Sequence, residues 1–218
     1  MAVAVKICGI RSARDAIMAA EAGADMIGLV FAPSRRQLDR VTARQIVAGL
    51  RASSSGQDVT VVGVFVNESA ATIQDLAAEV GLDWVQLSGH EPRAAAAGLD
   101  LPVVKALRFD GDATEAEWLG ATATCAATPL LIDAHVAGSY GGAGVVADWG
   151  AAARLAAARP VLLAGGLNPD NVAAAIAAVR PWGVDVSSGV ETSGTKDHAK
   201  IMAFVGAAKA AGTINKQG

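Results

Sequence analysis

The chain has 218 residues, of which 52% are hydrophobic and 18% charged, with a net charge of −3 and two Cys. That is too apolar for a disordered chain, and two cysteines cannot make a disulfide framework. No 18-residue stretch lacks charged or strongly polar side chains, and no Lys/Arg run is present, so neither a transmembrane helix nor a nucleic-acid interface is expected.

The N-terminus, MAVAVKICGI, lacks the basic and apolar regions of a signal peptide, so a cytoplasmic protein is expected. From there, short runs rich in Val, Ile and Leu occupy residues 3–8, 26–31, 59–66, 84–87, 103–107, 130–133, 161–164 and 184–187. Ala-rich stretches separate them. Ser12, with Asp15 three residues on, predicts a helix that stops at Gly23. Residues 69–80, closed by Gly81, predict another. Pro169 reads as the first residue of a helix starting near Asn168, with Val172, Ile176 and Val179 as its apolar stripe. Pro102, Pro129 and Pro160 stand at strand entrances, where a missing N–H is tolerated. The polar tail, 212–218, is expected to fray. GADMIGLVF, GLDWVQLSG and WGVDVSSGV echo one another weakly.

Eight strands alternating with helices, at about 27 residues per unit, predict an α/β fold: a (β/α)8 TIM barrel forming one domain over residues 1–218. Runs apolar on both faces suit strands buried between barrel interior and helix layer.

In such a barrel the chemistry sits at the C-terminal strand ends. There the chain places Gly165-Gly166 before a helix and Ser187-Ser188-Gly189 after the last strand, backbone suited to an anion such as phosphate. Either loop alone reads more readily as a tight turn or a cap; the two together reverse this and favour the anion. A third glycine cluster, 138–144, is either a loop that folds over a ligand or a flexible connection. Alternation along the first strand turns Val3, Val5 and Ile7 outward, leaving Lys6 and Cys8 inward. A buried Cys is usually a small hydrophobe, but a lysine on the same face lowers a thiol pKa and points to a nucleophile or base. Asp185 and Ser187 face inward on the eighth strand, beside the first, which predicts a Lys6–Asp185 ion pair. Asp133 ends the sixth strand facing inward. Alone it is as well explained by a hydrogen bond to a loop; with Cys8 across the mouth it suits an acid/base couple.

KICGI, GLVFAPSRR, VGVFVN, VQLSGHE, LLIDA, GGAGVVADW, LAGGLNPDNV and GVDVSSGVE, in this order, resemble phosphoribosylanthranilate isomerases of tryptophan biosynthesis from Lys6 to about Asp197. The resemblance implies an Amadori rearrangement of N-(5'-phosphoribosyl)anthranilate without metal or cofactor. It implies Asp133 as general acid, Cys8 as general base, and Arg36 as holder of the anthranilate carboxylate. It implies Gly142, Gly144, Gly165, Gly166, Ser188 and Gly189 on the phosphorylated substrate. Ser88 stands where the family commonly has His, and Ala143 and Val145 where it has Thr and Lys, so backbone N–H groups are expected to hold the phosphate. The histidines His90, His135 and His198 receive no role. Alternatives are another phosphosugar isomerase or epimerase, or a noncatalytic barrel that binds a phosphorylated ligand; the latter would not need Cys8 with Asp133. Monomer and homodimer both remain open.

Overall fold

The computed structural model describes residues 3–108, 112–120, 129–133 and 149–214. Eight strands form a closed, parallel barrel: β1 (Ala4–Cys8), β2 (Met26–Val30), β3 (Thr60–Phe65), β4 (Trp84–Leu87), β5 (Val103–Leu107), β6 (Leu130–Asp133), β7 (Val161–Ala164) and β8 (Gly183–Val186). Each lies within one residue of its expected run at either end. β8 pairs with β1 and closes the ring, setting Lys6 opposite Asp185.

The outer helices are α1 (Ala13–Glu21), α2 (Arg40–Ala52), α3 (Ala70–Val80), α4 (Ala113–Gly120), α5 (Trp149–Ala156), α6 (Val172–Val179) and α7 (His198–Ile214). Ser12 and Ser69 cap α1 and α3 through the N–H groups of Asp15 and Thr72, and Gly81 ends α3 at φ 81°. Asp39 caps α2 in the same way, through Thr42.

Three expectations need correction. The Ala run between β4 and β5 forms a 3-10 segment, Arg93–Gly98, in place of an α-helix; Pro92 opens it and Gly98 ends it after 6 residues. Pro169 precedes α6 rather than starting it. Asn168 Oδ1 accepts from the N–H groups of Asp170 and Asn171, and Asn171 Oδ1 accepts from Asn168 N–H, closing a turn around the proline. Gly212, Thr213 and Ile214 belong to α7 instead of a frayed tail. Gly212 packs on Val3, where a β-carbon would come within 2.9 Å of its side chain.

Outward residues such as Val5, Ile7, Ile27, Leu29, Val61 and Leu163 pack beneath the helices in the main core. Val104, Ala106, Leu131, Leu162 and Ala164 fill the barrel interior. Trp84 starts β4, Trp182 precedes β8, and their stacked rings, 6.3 Å between centroids, close the N-terminal end against this inner cluster. Filling one end leaves the C-terminal mouth as the open one.

The echo between GADMIGLVF and GLDWVQLSG has a structural counterpart. Asp25 and Asp83 each immediately precede a strand and accept the N–H of Val5 or Val61 on the preceding strand at 2.7 Å. Lys209 and Arg51 are their respective counterions. Each carboxylate thus satisfies a strand-end donor that the ladder leaves over. Asp25→Ala and Asp83→Ala should each lower stability by about 1 kcal/mol in urea unfolding, and add when combined, because the two sites share no partner.

Candidate active site

β1 supplies the first chemical groups at the mouth. Lys6 Nζ donates to Asp185 Oδ1 at 2.9 Å, as the strand register predicts, and Lys6 is 1% exposed. Cys8 lies one pleat above it. Gly28 faces Cys8 across the β1–β2 ladder, and a β-carbon there would lie 2.8 Å from Cys8 Sγ and 3.2 Å from Lys6 Nζ. The thiol and ammonium therefore sit side by side in the space this glycine leaves.

The electrostatics correct one expectation. Burial pushes the Cys8 thiol up and Asp185 adds to it, while Lys6 and Lys196 pull it down without cancelling the rise. Lys6 is drawn down by its own burial, but Asp185 and Cys8 more than offset this and hold it above its ordinary value. Its positive charge is already matched by a carboxylate 2.9 Å away, so the thiol has only part of it. Cys8 rests as a thiol.

Asp133 ends β6, separated from β1 around the ring by β7 and β8. It lines a cavity of about 350 Å³ together with the loops after β7 and β8, including Gly165, Gly166, Ser188 and Gly189. Asp185, the partner of Lys6, lines the same cavity. Gly165 and Gly166 have φ 88° and 65°, a left-handed conformation that favours glycine, and a β-carbon on Gly166 would meet nothing within 4 Å. Asn171 Nδ2 donates to Gly166 O and steadies that loop. Ser188 opens a 3-10 turn, Ser188–Val190. Among the described residues, the N–H groups of Gly165, Gly166, Ser188 and Gly189 make no backbone hydrogen bond. Unpaired donors around a cavity are chemically suited to an anion. Gly142 and Gly144 lie outside the described residues, as do Ala143, Val145, Cys125 and His135.

Arg36 reaches the mouth by a route only the structure reveals. Its side chain crosses the end of β1 over Gly9, where a β-carbon would lie 2.3 Å from Arg36 Cδ. Glu191 grips its guanidinium at two points, Nε to Oε1 at 2.7 Å and Nη2 to Oε2 at 2.9 Å. Arg35 Nη2 and Lys196 Nζ reach the same carboxylate at 2.7 and 3.2 Å. Burial alone would raise Glu191, but Arg36 and Lys196 bring its pKa down to about 2. Lys196 also donates to Ser187 O, and Ser187 Oγ donates to Cys8 O. Glu191, Lys196 and Gly28 are not singled out by sequence reasoning. Glu191 ends the quoted motif GVDVSSGVE, and that was its only signal.

Ser88 accepts from Gln86 Nε2 at 3.0 Å inside the barrel. The loop it begins is anchored by the buried Glu91, which accepts from Lys105 and from the N–H groups of Asn67 and Gly89. His90 pairs with Asp112 at the surface, and His198 begins α7 beside Asp15. Among the described residues, no helix is long and apolar enough to cross a membrane.

Two outcomes are expected. Thiolate absorbance present in the wild type and lost in Cys8→Ser should emerge only above the free-thiol value of about 8.5, because burial disfavours the charged form. Gly189→Ala would place a methyl 1.9 Å from Leu167 O, forcing the loops after β7 and β8 apart. Titration calorimetry should then show inorganic phosphate binding at least ~10-fold more weakly, about 1.4 kcal/mol.

Comparison with known proteins agrees with this geometry. Residues 5–207 match the family model described as N-(5'-phosphoribosyl)anthranilate isomerase. The protein of that name from Roseiflexus sp. (strain RS-1) is 58% identical over 210 residues, covering 95% of this chain and 98% of the relative. The crystal structure of phosphoribosyl anthranilate isomerase from Thermotoga maritima superposes with a TM-score of 0.82 at 40% identity, over 95% of this chain and 99% of that one. A second crystal structure, the isomerase in complex with reduced 1-(o-carboxyphenylamino)-1-deoxyribulose 5-phosphate, gives a TM-score of 0.79 at 38% identity, with the same coverage. With the match running through nearly every strand end that builds the mouth, the chain belongs to the N-(5'-phosphoribosyl)anthranilate isomerase family.

Proposed function

We propose that the cavity at the barrel mouth isomerises N-(5'-phosphoribosyl)anthranilate to 1-(2-carboxyphenylamino)-1-deoxyribulose 5-phosphate, with Asp133 as general acid and Cys8 as general base. The observation that carries this reading is a single cavity, lined by Asp133 and by two loops with unpaired backbone N–H groups, whose wall Asp185 joins to Lys6 and hence to Cys8.

In this reading the substrate lies across the mouth. Its phosphate takes the N–H groups of Gly165, Gly166, Ser188 and Gly189. Its anthranilate carboxylate takes the guanidinium of Arg36, a planar donor suited to two-point contact. The ribose then lies between the β6 and β1 ends. Asp133 protonates the furanose ring oxygen; the C1–O bond breaks as the nitrogen lone pair forms an iminium. Cys8, as thiolate, removes the C2 proton, and the electron pair passes through the new C1=C2 bond to neutralise nitrogen. The enolamine then tautomerises to the ketone, with one proton leaving the C2 hydroxyl and one arriving at C1. Atoms and charge balance within one molecule, and an acid and a base suffice.

The raised thiol adds a step before this sequence: Cys8 gives up its own proton to solvent before it takes the one from C2, and the Lys6 ammonium beside it supports the thiolate while burial opposes it. Gly28 keeps that contact open.

An anthranilate fluorescence assay tests the assignments. Cys8→Ala and Asp133→Asn should each lower kcat by at least ~10²-fold with little change in KM, the scale of losing a positioned acid or base. Full activity in either variant would remove that residue from its role.

A further inference from the structure

We propose that Glu191 is the positioning residue for Arg36, holding one edge of its guanidinium so that the other is presented to the substrate's aryl carboxylate. The inference rests on Arg36 being the carboxylate receptor, as proposed above.

Three features carry it. The first is which donors are used. Glu191 engages Nε and one hydrogen of Nη2, and among the described residues Nη1 makes no hydrogen bond. The Nη1/Nη2 edge is the one left for a second carboxylate. A guanidinium has donors for two such contacts at once, which an ammonium lacks.

The second is charge. Glu191 is shared by Arg35, Arg36 and Lys196. Three cations to one carboxylate leave the cluster positive, so Glu191 fixes Arg36 without abolishing its attraction for an anion. Lys6 and Asp185, by contrast, are matched one to one.

The third is rigidity. Glu191 and Lys196 sit opposite each other on a two-stranded hairpin, β9 (Glu191–Thr192) and β10 (Thr195–Lys196). Ser193 and Gly194 turn it with φ 50° and 79°. Lys196 ties the hairpin to Ser187 O, beside the loop expected to hold phosphate. Gly9 fixes the path of the Arg36 stem from below. The carboxylate stays ionised down to about pH 2, so the arrangement is constant wherever the fold persists. One short hairpin thus sets the distance between the receptors for the two anionic ends of the substrate.

The test compares two probes by titration calorimetry. Reduced 1-(o-carboxyphenylamino)-1-deoxyribulose 5-phosphate carries both anionic ends; ribose 5-phosphate carries only the phosphate. Glu191→Gln keeps the shape and loses the charge. It should bind the first probe at least ~10-fold more weakly and the second within about twofold, and raise KM far more than it lowers kcat. In an Arg36→Met background the same substitution should add little, because its effect passes through Arg36. If Glu191→Gln does not fold, Glu191→Asp, which retains the charge one methylene further back, is measured in the same way. Equal weakening of both probes would make Glu191 a general support of the β8 loop and overturn the proposal, as would no weakening of either. Arg36→Met binding the first probe as the wild type does would instead overturn the reading of Arg36 itself, and this proposal with it.

Discussion

The pairing of β8 with β1 is the constraint on which the rest of the mouth depends. It brings together Lys6 and Asp185, two charges that the barrel interior strips of water. Neither could be buried alone: an uncompensated buried charge costs about 3–5 kcal/mol. A slip of one residue in this register would turn one of them outward and separate them. The register that makes the ion pair also stations Cys8 above Lys6 and Ser187 above Asp185, so Ser187 Oγ reaches Cys8 O. Closing the barrel and building the site are one event.

What surrounds that pair is shaped largely by side chains that are missing. Gly28 leaves room for a thiol beside an ammonium, Gly9 lets an arginine cross the end of β1, and Gly189 lets one loop lie against the carbonyl of another. In each case a single methyl would occupy space already taken by a neighbouring side chain or carbonyl. The same loops also supply unpaired N–H groups, so glycine here both admits the neighbours and exposes the backbone. Positive charge is distributed in keeping with this. It is neutralised deep in the barrel and in excess at the hairpin, and in the β7 and β8 loops it is replaced by backbone dipoles. In the proposed reading, a ligand with a carboxylate at one end and a phosphate at the other meets two chemically different receptors.

Much of this was readable in the chain. Alternation over VKIC placed Lys6 and Cys8 on one face, and the same reasoning on VDVS placed Asp185 opposite, which the structure bears out at 2.9 Å. Ser12, Ser69 and Gly81 bounded helices because caps act within three or four residues of themselves. The reading failed where distant segments compete. Pro169 looked like a first helical residue until Asn168 and Asn171 closed a turn around it. Cys8 looked like a thiol lowered by its lysine, but burial outweighed the lysine and Asp185 had already engaged it. Glu191 carried no signal of its own, since nothing in GVE tells that two arginines 155 and 156 residues earlier converge on it.

The sequence by itself determined the strand count, the inward and outward faces, and the glycine-rich strand ends, because these follow from periodicity and local backbone preference. It also identified Cys8, Asp133 and Arg36 as candidates, through the residue types that their motifs share with the family. The tertiary structure alone decided that Arg36 is held by Glu191, that Cys8 rests protonated, and which N–H groups are left unpaired. Those outcomes depend on desolvation and on contacts between residues far apart in the chain, and both exist only once the barrel has closed.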